Sequence, residues 1–199
     1  MATFCLASAL LAGCAGPKGA AAPERFDLGA SAPLAAGAAP AGVPVWLAGV
    51  HAPSSLEGTQ MLYRLGYSNA LQTRAYAQAR WSMPVPELLE QRLRQQLAPR
   101  HAVLSLADGL QSRHSGVILR IELEDFSQNF ASPQQATVQV RLRATLSTWR
   151  GGVEQLLDQR TLQATQPSPS ADAEGGVRAL AQATDQVLGE LERWLDTPR

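Results

Sequence analysis

The chain has 199 residues, with 17 Lys plus Arg against 17 Asp plus Glu, and is therefore neutral overall. That length supports one domain with a substantial core. A neutral chain without a Lys/Arg run has no long-range field toward phosphate backbones, which argues against nucleic acid as a partner.

The first element in chain order is an apolar run from Phe4 to Ala12, closed by Leu11-Ala12-Gly13-Cys14. Its length suits the h-region of an export signal and is too short to span a bilayer. The closing tetrapeptide resembles the lipobox cut by bacterial signal peptidase II. Small Ala12 and Gly13 let the peptidase reach the bond before Cys14, and only a thiol offers the nucleophile that accepts a diacylglyceryl group. Residues 1–13 are therefore predicted to be a lipoprotein-type signal peptide, and Cys14 the lipid attachment site. Met1-Ala2-Thr3-Phe4 lacks the Lys or Arg that opens such signals, as expected if the start lies upstream. Cys5 leaves with the signal, so the mature chain keeps one cysteine and no intramolecular disulfide.

Residues 14–44 read as a lipid-anchored tether. Of the 30 residues from Ala15 to Pro44, 21 are Ala, Gly or Pro, which bury too little surface to offset the entropy of ordering them. The interruption Arg25-Phe26-Asp27-Leu28-Gly29 alternates like a short strand able to dock on the domain. Ala15 and Gly16 include no Asp of the kind that retains lipoproteins at the inner membrane, which favours the periplasmic face of the outer membrane.

Residues 45–199 read as one α+β domain. Pro44 to Val50 is a short apolar run suited to a buried strand, Met61 to Tyr67 a second, and Gln72 to Arg80 a third that leads into Trp81. Pro84 and Pro86 open a helix with Leu89, Leu93 and Leu97 on one stripe, and Pro99 ends it. Ala102 to Leu106 is a brief strand, followed by turn chemistry at Asp108-Gly109. Val117, Leu119, Ile121 and Leu123 alternate with Ile118, Arg120, Glu122 and Glu124. After a predicted loop from Asn129 to Pro133, Val138, Val140, Leu142, Ala144 and Leu146 alternate again, giving a long antiparallel hairpin. Gly151-Gly152 turns the chain into a strand near Gln155 to Thr165, whose register the pattern leaves open. Ser170 or Asp172 caps a last helix, with Val177, Leu180, Thr184, Val187, Leu188, Leu191 and Leu195 on one face. The predicted architecture is a mainly antiparallel mixed sheet with two helices on one face.

Chemistry-bearing residues are sparse. His51, His101 and His114 are far apart, have no Asp or Cys at ligand spacing, and read as exposed loop residues. There is no G-x-S-x-G, H-E-x-x-H or P-loop, so neither an active site, a metal site nor a cofactor site is expected. Trp46, Tyr63, Tyr67, Tyr76 and Trp81 cluster in the first third of the domain. They are candidates for a groove that takes acyl chains or a partner, with the edge of the core as the alternative. Trp149, beside the Gly-Gly turn, reads as exposed. Arg141 and Arg143 read as solvated charges on a polar sheet face, where a protein partner would also add contacts.

Several stretches together resemble the ABC-type transport auxiliary lipoprotein family: Met61-Leu62-Tyr63-Arg64-Leu65-x-Tyr67, Tyr76-Ala77-x-Ala79-Arg80-Trp81, and Leu123-Glu124-Asp125-Phe126-Ser127-Gln128-x-Phe130. Pro84, Glu87-Leu88-Leu89 and Arg92-Leu93 extend the match, and the helix from Asp172 through Arg178 to Trp194-Leu195 completes it, over roughly Phe26 to Leu195. The resemblance implies a non-enzymatic lipoprotein that works with an inner-membrane ATPase and permease and with a mammalian-cell-entry-type protein. Such systems move lipids or other apolar molecules between envelope membranes. It also leaves a homo-oligomer open. A structural or assembly lipoprotein of the outer membrane is the alternative, and a hydrolase using His114-Ser115 a more remote one.

Overall fold

Strict alternation over a long run commits one face of a strand to burial, and Val138, Val140, Leu142, Ala144 and Leu146 are all inaccessible to solvent. They lie on one of eight strands in a computed structural model that describes residues 22–30, 42–106 and 116–197. In chain order the elements are β1 (Glu24–Phe26), β2 (Val45–His51), β3 (Gln60–Leu65), α1 (Gly66–Asn69), β4 (Ala70–Trp81) and α2 (Val85–Leu97). They continue with β5 (Val103–Ser105), β6 (Val117–Ser132), β7 (Gln135–Arg150), β8 (Val153–Pro167) and α3 (Ala173–Leu195).

The sheet is mixed and forks at β6. One edge of β6 pairs along its length with β7, antiparallel, and β7 pairs with β8. The other edge is shared by two parallel partners, β2 along the first half of β6 and β3 along the second. β5 adds to β2, while β4 and then β1 add to β3. The stretch around Phe26 does dock, as a three-residue strand parallel to β4 with Phe26 opposite Trp81 and Leu28 buried just beyond.

Helices α2 and α3 cover one face. Val85, Leu88, Leu89, Leu93 and Leu97 of α2 meet Leu180, Val187, Leu188 and Leu191 of α3 in a single core over the β6–β7 hairpin. Across the rim the helices are joined by Arg92 to Asp185, two nitrogen–oxygen contacts of 2.7 Å, and by Gln96 to Glu192 at 2.9 Å. Among the described residues no helix is long and apolar enough to cross a membrane.

Two local expectations need correction, and one left open is settled. The predicted strand through Tyr67 stops at Leu65, because Gly66 turns the chain into α1, where a Cβ would lie 3.1 Å from the Phe130 carbonyl oxygen. The predicted loop from Asn129 to Pro133 is mostly strand: Asn129 pairs with Thr137 and Ser132 with Gln135, so only Pro133 and Gln134 turn. Tertiary pairing on both edges outweighs the weak strand preference of Asn. The open register of β8 is set by Leu162 and Ala164, opposite Leu142 and Val140, while its first residues run beyond the cover of α3.

Asp172 caps α3. Its carboxylate accepts from the Gly175 backbone N–H at 2.7 Å and from the Ser170 hydroxyl at 2.8 Å, and these bonds hold its pKa below the ordinary carboxylate value. The contribution is therefore present above the unfolded-state pKa and lost as pH falls through the lower folded value. Asp172→Ala should lower stability at neutral pH by about 1 kcal/mol, and the deficit should shrink as acid protonates the wild-type cap. Urea melts of both proteins across the acid range check this.

Candidate functional site

Register, rather than sequence proximity, decides which of the five aromatic candidates meet. Tyr63 and Gln128 are direct partners across β3 and β6, and the Tyr76 ring stacks on Tyr63 with centroids 4.6 Å apart and planes tilted by 43°. Phe130 closes on Tyr63 edge-on at 5.8 Å. Trp81 lies apart in the core, edge-on to Phe126 at 5.4 Å. Trp46 is buried on β2 between Leu104 and Ile118, its partners in the sheet, at the far end of β6. Tyr67 stands on α1 with half its surface exposed, 49%. The structure thus brings Tyr63 and Tyr76 together and spreads the other three. Cys14 lies outside the described residues.

The Tyr63–Tyr76 pair sits over a buried amide. Gln128 has no solvent access; its Oε1 accepts from the Tyr76 hydroxyl at 2.8 Å, and its Nε2 donates to Ser168 Oγ and to the Asp172 carbonyl, each at 3.1 Å. Gly176 packs so closely that a Cβ there would overlap the Gln128 side chain. Burial first, then the neighbouring Tyr63 and Asp172, push the Tyr76 pKa well above its ordinary value of 10.0.

The opposite end of the sheet holds a cavity of about 860 Å³, bordered by Val45, His101, Trp149, Leu157, Leu195 and Asp196 among others. His101 was expected to be an exposed loop residue and is instead 4% exposed. Its Nδ1–H donates to the Val43 carbonyl at 3.0 Å, while Nε2 lies 3.2 Å from Asp196 Oδ1 without the alignment of a hydrogen bond. Asp196 also takes Arg100 at 2.6 Å. Trp149, expected to be exposed, is half-buried at the cavity wall. Beside it Val153, Leu156 and Leu157 of β8 project into solvent, Leu156 with 67% of its surface exposed. Sequence reasoning passed over this end. The signal was present in Leu156-Leu157, since two adjacent leucines in a strand cannot both face the same core.

On the face away from the helices, a bulge at Glu124 turns two successive acidic residues outward. Glu124 meets Arg141 at 3.0 Å and Arg143 at 2.6 Å, and Asp125 lies 3.6 Å from Arg64. Arg141 and Arg143 are therefore paired charges of a ladder. His51 ends β2, exposed, and His114-Ser115 lie outside the described residues. Among the described residues no three His, Cys, Asp or Glu side chains gather as a metal site would require.

Comparison with known proteins follows the fold. The ABC-type transport auxiliary lipoprotein component matches residues 26–192, and the chain belongs to that family. A protein from Xanthomonas campestris has a crystal structure similar to this one, with a TM-score of 0.69 at 18% identity, covering 86% of this chain and 94% of its own. An uncharacterized protein follows at TM-score 0.63 and 17% identity, covering 88% and 99%. A hypothetical protein from Chlamydia trachomatis has TM-score 0.50 at 12% identity, covering 78% and 99%. At these identities the likeness shows the fold alone. No curated protein matches the chain in sequence.

Two outcomes follow from the buried amide. Gly176→Ala should cost roughly 2–3 kcal/mol by overlap, and Gln128→Ala a similar amount through the unpaired Tyr76 hydroxyl and Asp172 carbonyl. Their combination should cost clearly less than the sum, measured by urea denaturation as a double-mutant cycle. In alkali, the raised folded-state pKa of Tyr76 favours the native state only while its hydroxyl stays protonated. Stability is full below pH 10 and declines as the unfolded chain ionises above it. Tyr76→Phe should leave the tyrosinate absorbance of the folded protein near pH 11 unchanged.

Proposed function

We propose that the protein is a non-enzymatic accessory lipoprotein of an ABC-type transporter that moves lipids or other apolar molecules between envelope membranes. Cys14 carries the lipid, at the periplasmic face of the outer membrane, and the transporter side includes a mammalian-cell-entry-type protein. The observation that carries this reading is the family match over residues 26–192. A folded module of this kind acts by holding and recognising.

The recognition surface proposed for the transporter partner is the cavity end. Trp149, Val153, Leu156 and Leu157 there form an exposed apolar edge beside Arg150 and Asp196, the mix of apolar anchors and polar rim that protein interfaces use. Among the described residues β8 pairs with β7 alone, so its outer edge offers backbone groups to which a partner strand can bond. Tyr63 and Tyr76 take part by shaping the other half of the domain, Trp81 by filling its core, and Trp46 by packing within the sheet at the cavity end.

The test is co-purification of the full chain with the mammalian-cell-entry-type protein encoded beside it. Leu156→Asp together with Val153→Asp should lower recovery of the complex by about tenfold or more with an unchanged melting temperature, since both side chains are exposed. Cys14→Ala should release the protein from the membrane fraction. An undiminished complex with the β8 variant removes the proposed surface; the absence of any complex with the unaltered chain removes the transporter reading.

A further inference from the structure

The end of the sheet that carries α1 differs from the rest of the chain in charge. Register brings three stretches together there: residues 65–73, 126–140 and 161–171, through Leu65 opposite Phe130, Phe130 opposite Ala136, and Thr137 opposite Pro167. None of their 35 residues is Asp, Glu, Lys, Arg or His, in a chain that is 17% charged. From this sparsely charged end Leu71 projects with 95% of its surface exposed and Tyr67 with 49%. The opposite end carries Arg100, Arg150, Glu154 and Asp196.

The path of the N-terminal chain selects the same end. β1 runs parallel to β4 with Glu24 opposite Ala79, so the chain enters β1 from the side on which Leu71 and α1 lie. Nine residues, 15–23, separate Cys14 from Glu24, ten links that reach at most about 35 Å. Leu71 stands eight residues up β4 from Ala79, about 27 Å along the strand. A chain that turned back toward the cavity end would use two or three residues to reverse and would have to run almost fully extended from there. The distance in that direction, from the level of β1 to Val117, is about 25 Å.

We infer that the α1 end is a membrane contact, with Tyr67 and Leu71 seated at the lipid headgroup boundary of the bilayer that holds Cys14. The inference rests on the reading of Cys14 as lipid-bearing. The chemistry fits a lipid surface. An end with few ionic side chains, Arg64, Arg74 and Asp172 standing at its border, loses little ionic hydration when it approaches the interface, Tyr places a ring in the apolar layer with its hydroxyl in the headgroups, and Leu71 adds apolar area. The same orientation turns the cavity end away from the membrane, toward the periplasm and any partner that crosses it.

The experiment uses the full, lipidated chain in vesicles of phosphatidylethanolamine and phosphatidylglycerol, with some lipids carrying a nitroxide quencher near the headgroup. An environment-sensitive dye is attached to the thiol introduced by Leu71→Cys, and in a separate protein to that introduced by Leu156→Cys. Mass spectrometry of each mature chain first reports the diacylglyceryl group on Cys14; its absence defeats the anchor reading independently. With the lipid present, the dye at position 71 should shift to the blue and be quenched strongly, and the dye at position 156 should remain as in water. Tyr67→Ser with Gln72→Ser, a polar control pair, should weaken quenching less than Tyr67→Ala with Gln72→Glu, which puts a charge on the contact; equal quenching in both pairs counts against the contact. Quenching at 156, or at neither position, overturns the proposal. So does shielding at position 71 that rises with protein concentration and ignores the quencher, which would identify a second copy of this chain as the occupant.

Discussion

An amide sealed from water must satisfy all of its polar atoms inside the protein, and Gln128 meets that demand by drawing on three separate parts of the chain. Tyr76 from β4 donates to it, Ser168 beyond β8 and the carbonyl of Asp172 at the start of α3 receive from it, and Gly176 leaves it room. Loss of any one contact exposes the cost of a buried unpaired group. The docking of α3 and the stacking of Tyr63 on Tyr76 therefore depend on one side chain at the middle of β6. Gln128 also lies within the Phe126-Ser127-Gln128 stretch that resembles the family, and its two neighbours serve the same region. Phe126 meets Trp81 edge-on, and Ser127 hydrogen-bonds Asp125 and Arg64 on the other face.

With the hub in place, the two faces of the sheet divide the work. The helical face is apolar except for this network, whereas the open face carries charges already matched to one another, Arg141 and Arg143 to Glu124 and Arg64 to Asp125. Exposed pairs of this kind add little stability. They do tie the arginines of that face to neighbouring carboxylates, while the exposed large apolar side chains lie toward the ends of the sheet.

Much of the fold was legible because its signals are local and repeated. The alternation along Val138 to Leu146, the leucine stripe of α2 and the stripe of α3 each specify a buried face within a few turns or strand pairs, and each forms as expected. What escaped depends on partners distant in sequence. Asn129 to Ser132 look like a loop until β7 pairs with them. β8 shows alternation only where α3 covers it, so the exposed leucines at its start blurred the period. His101 is buried by Val43 and by Asp196 at the far end of α3, and nothing adjacent to Pro99-Arg100-His101 announces either. The aromatic cluster divided for the same reason: Tyr63 meets Tyr76 because β3 and β4 are antiparallel neighbours, whereas Trp46 and Trp81 lie on strands in different branches of the fork.

The three residues of β1 also determine how the domain bears mechanical load. Because β1 lies parallel to β4 and the chain leaves it toward the α1 end, a pull on the N-terminal segment acts along the strand rather than across it. The ladder bonds of Glu24 to Phe26 are then strained together in shear, with the Phe26 carbonyl held by the Ser82 amide and Leu28 buried behind them as a stop. A strand peeled from its end would release bonds one at a time. This arrangement shares the force among them, so a very short strand resists a pull along its axis better than its length alone would allow.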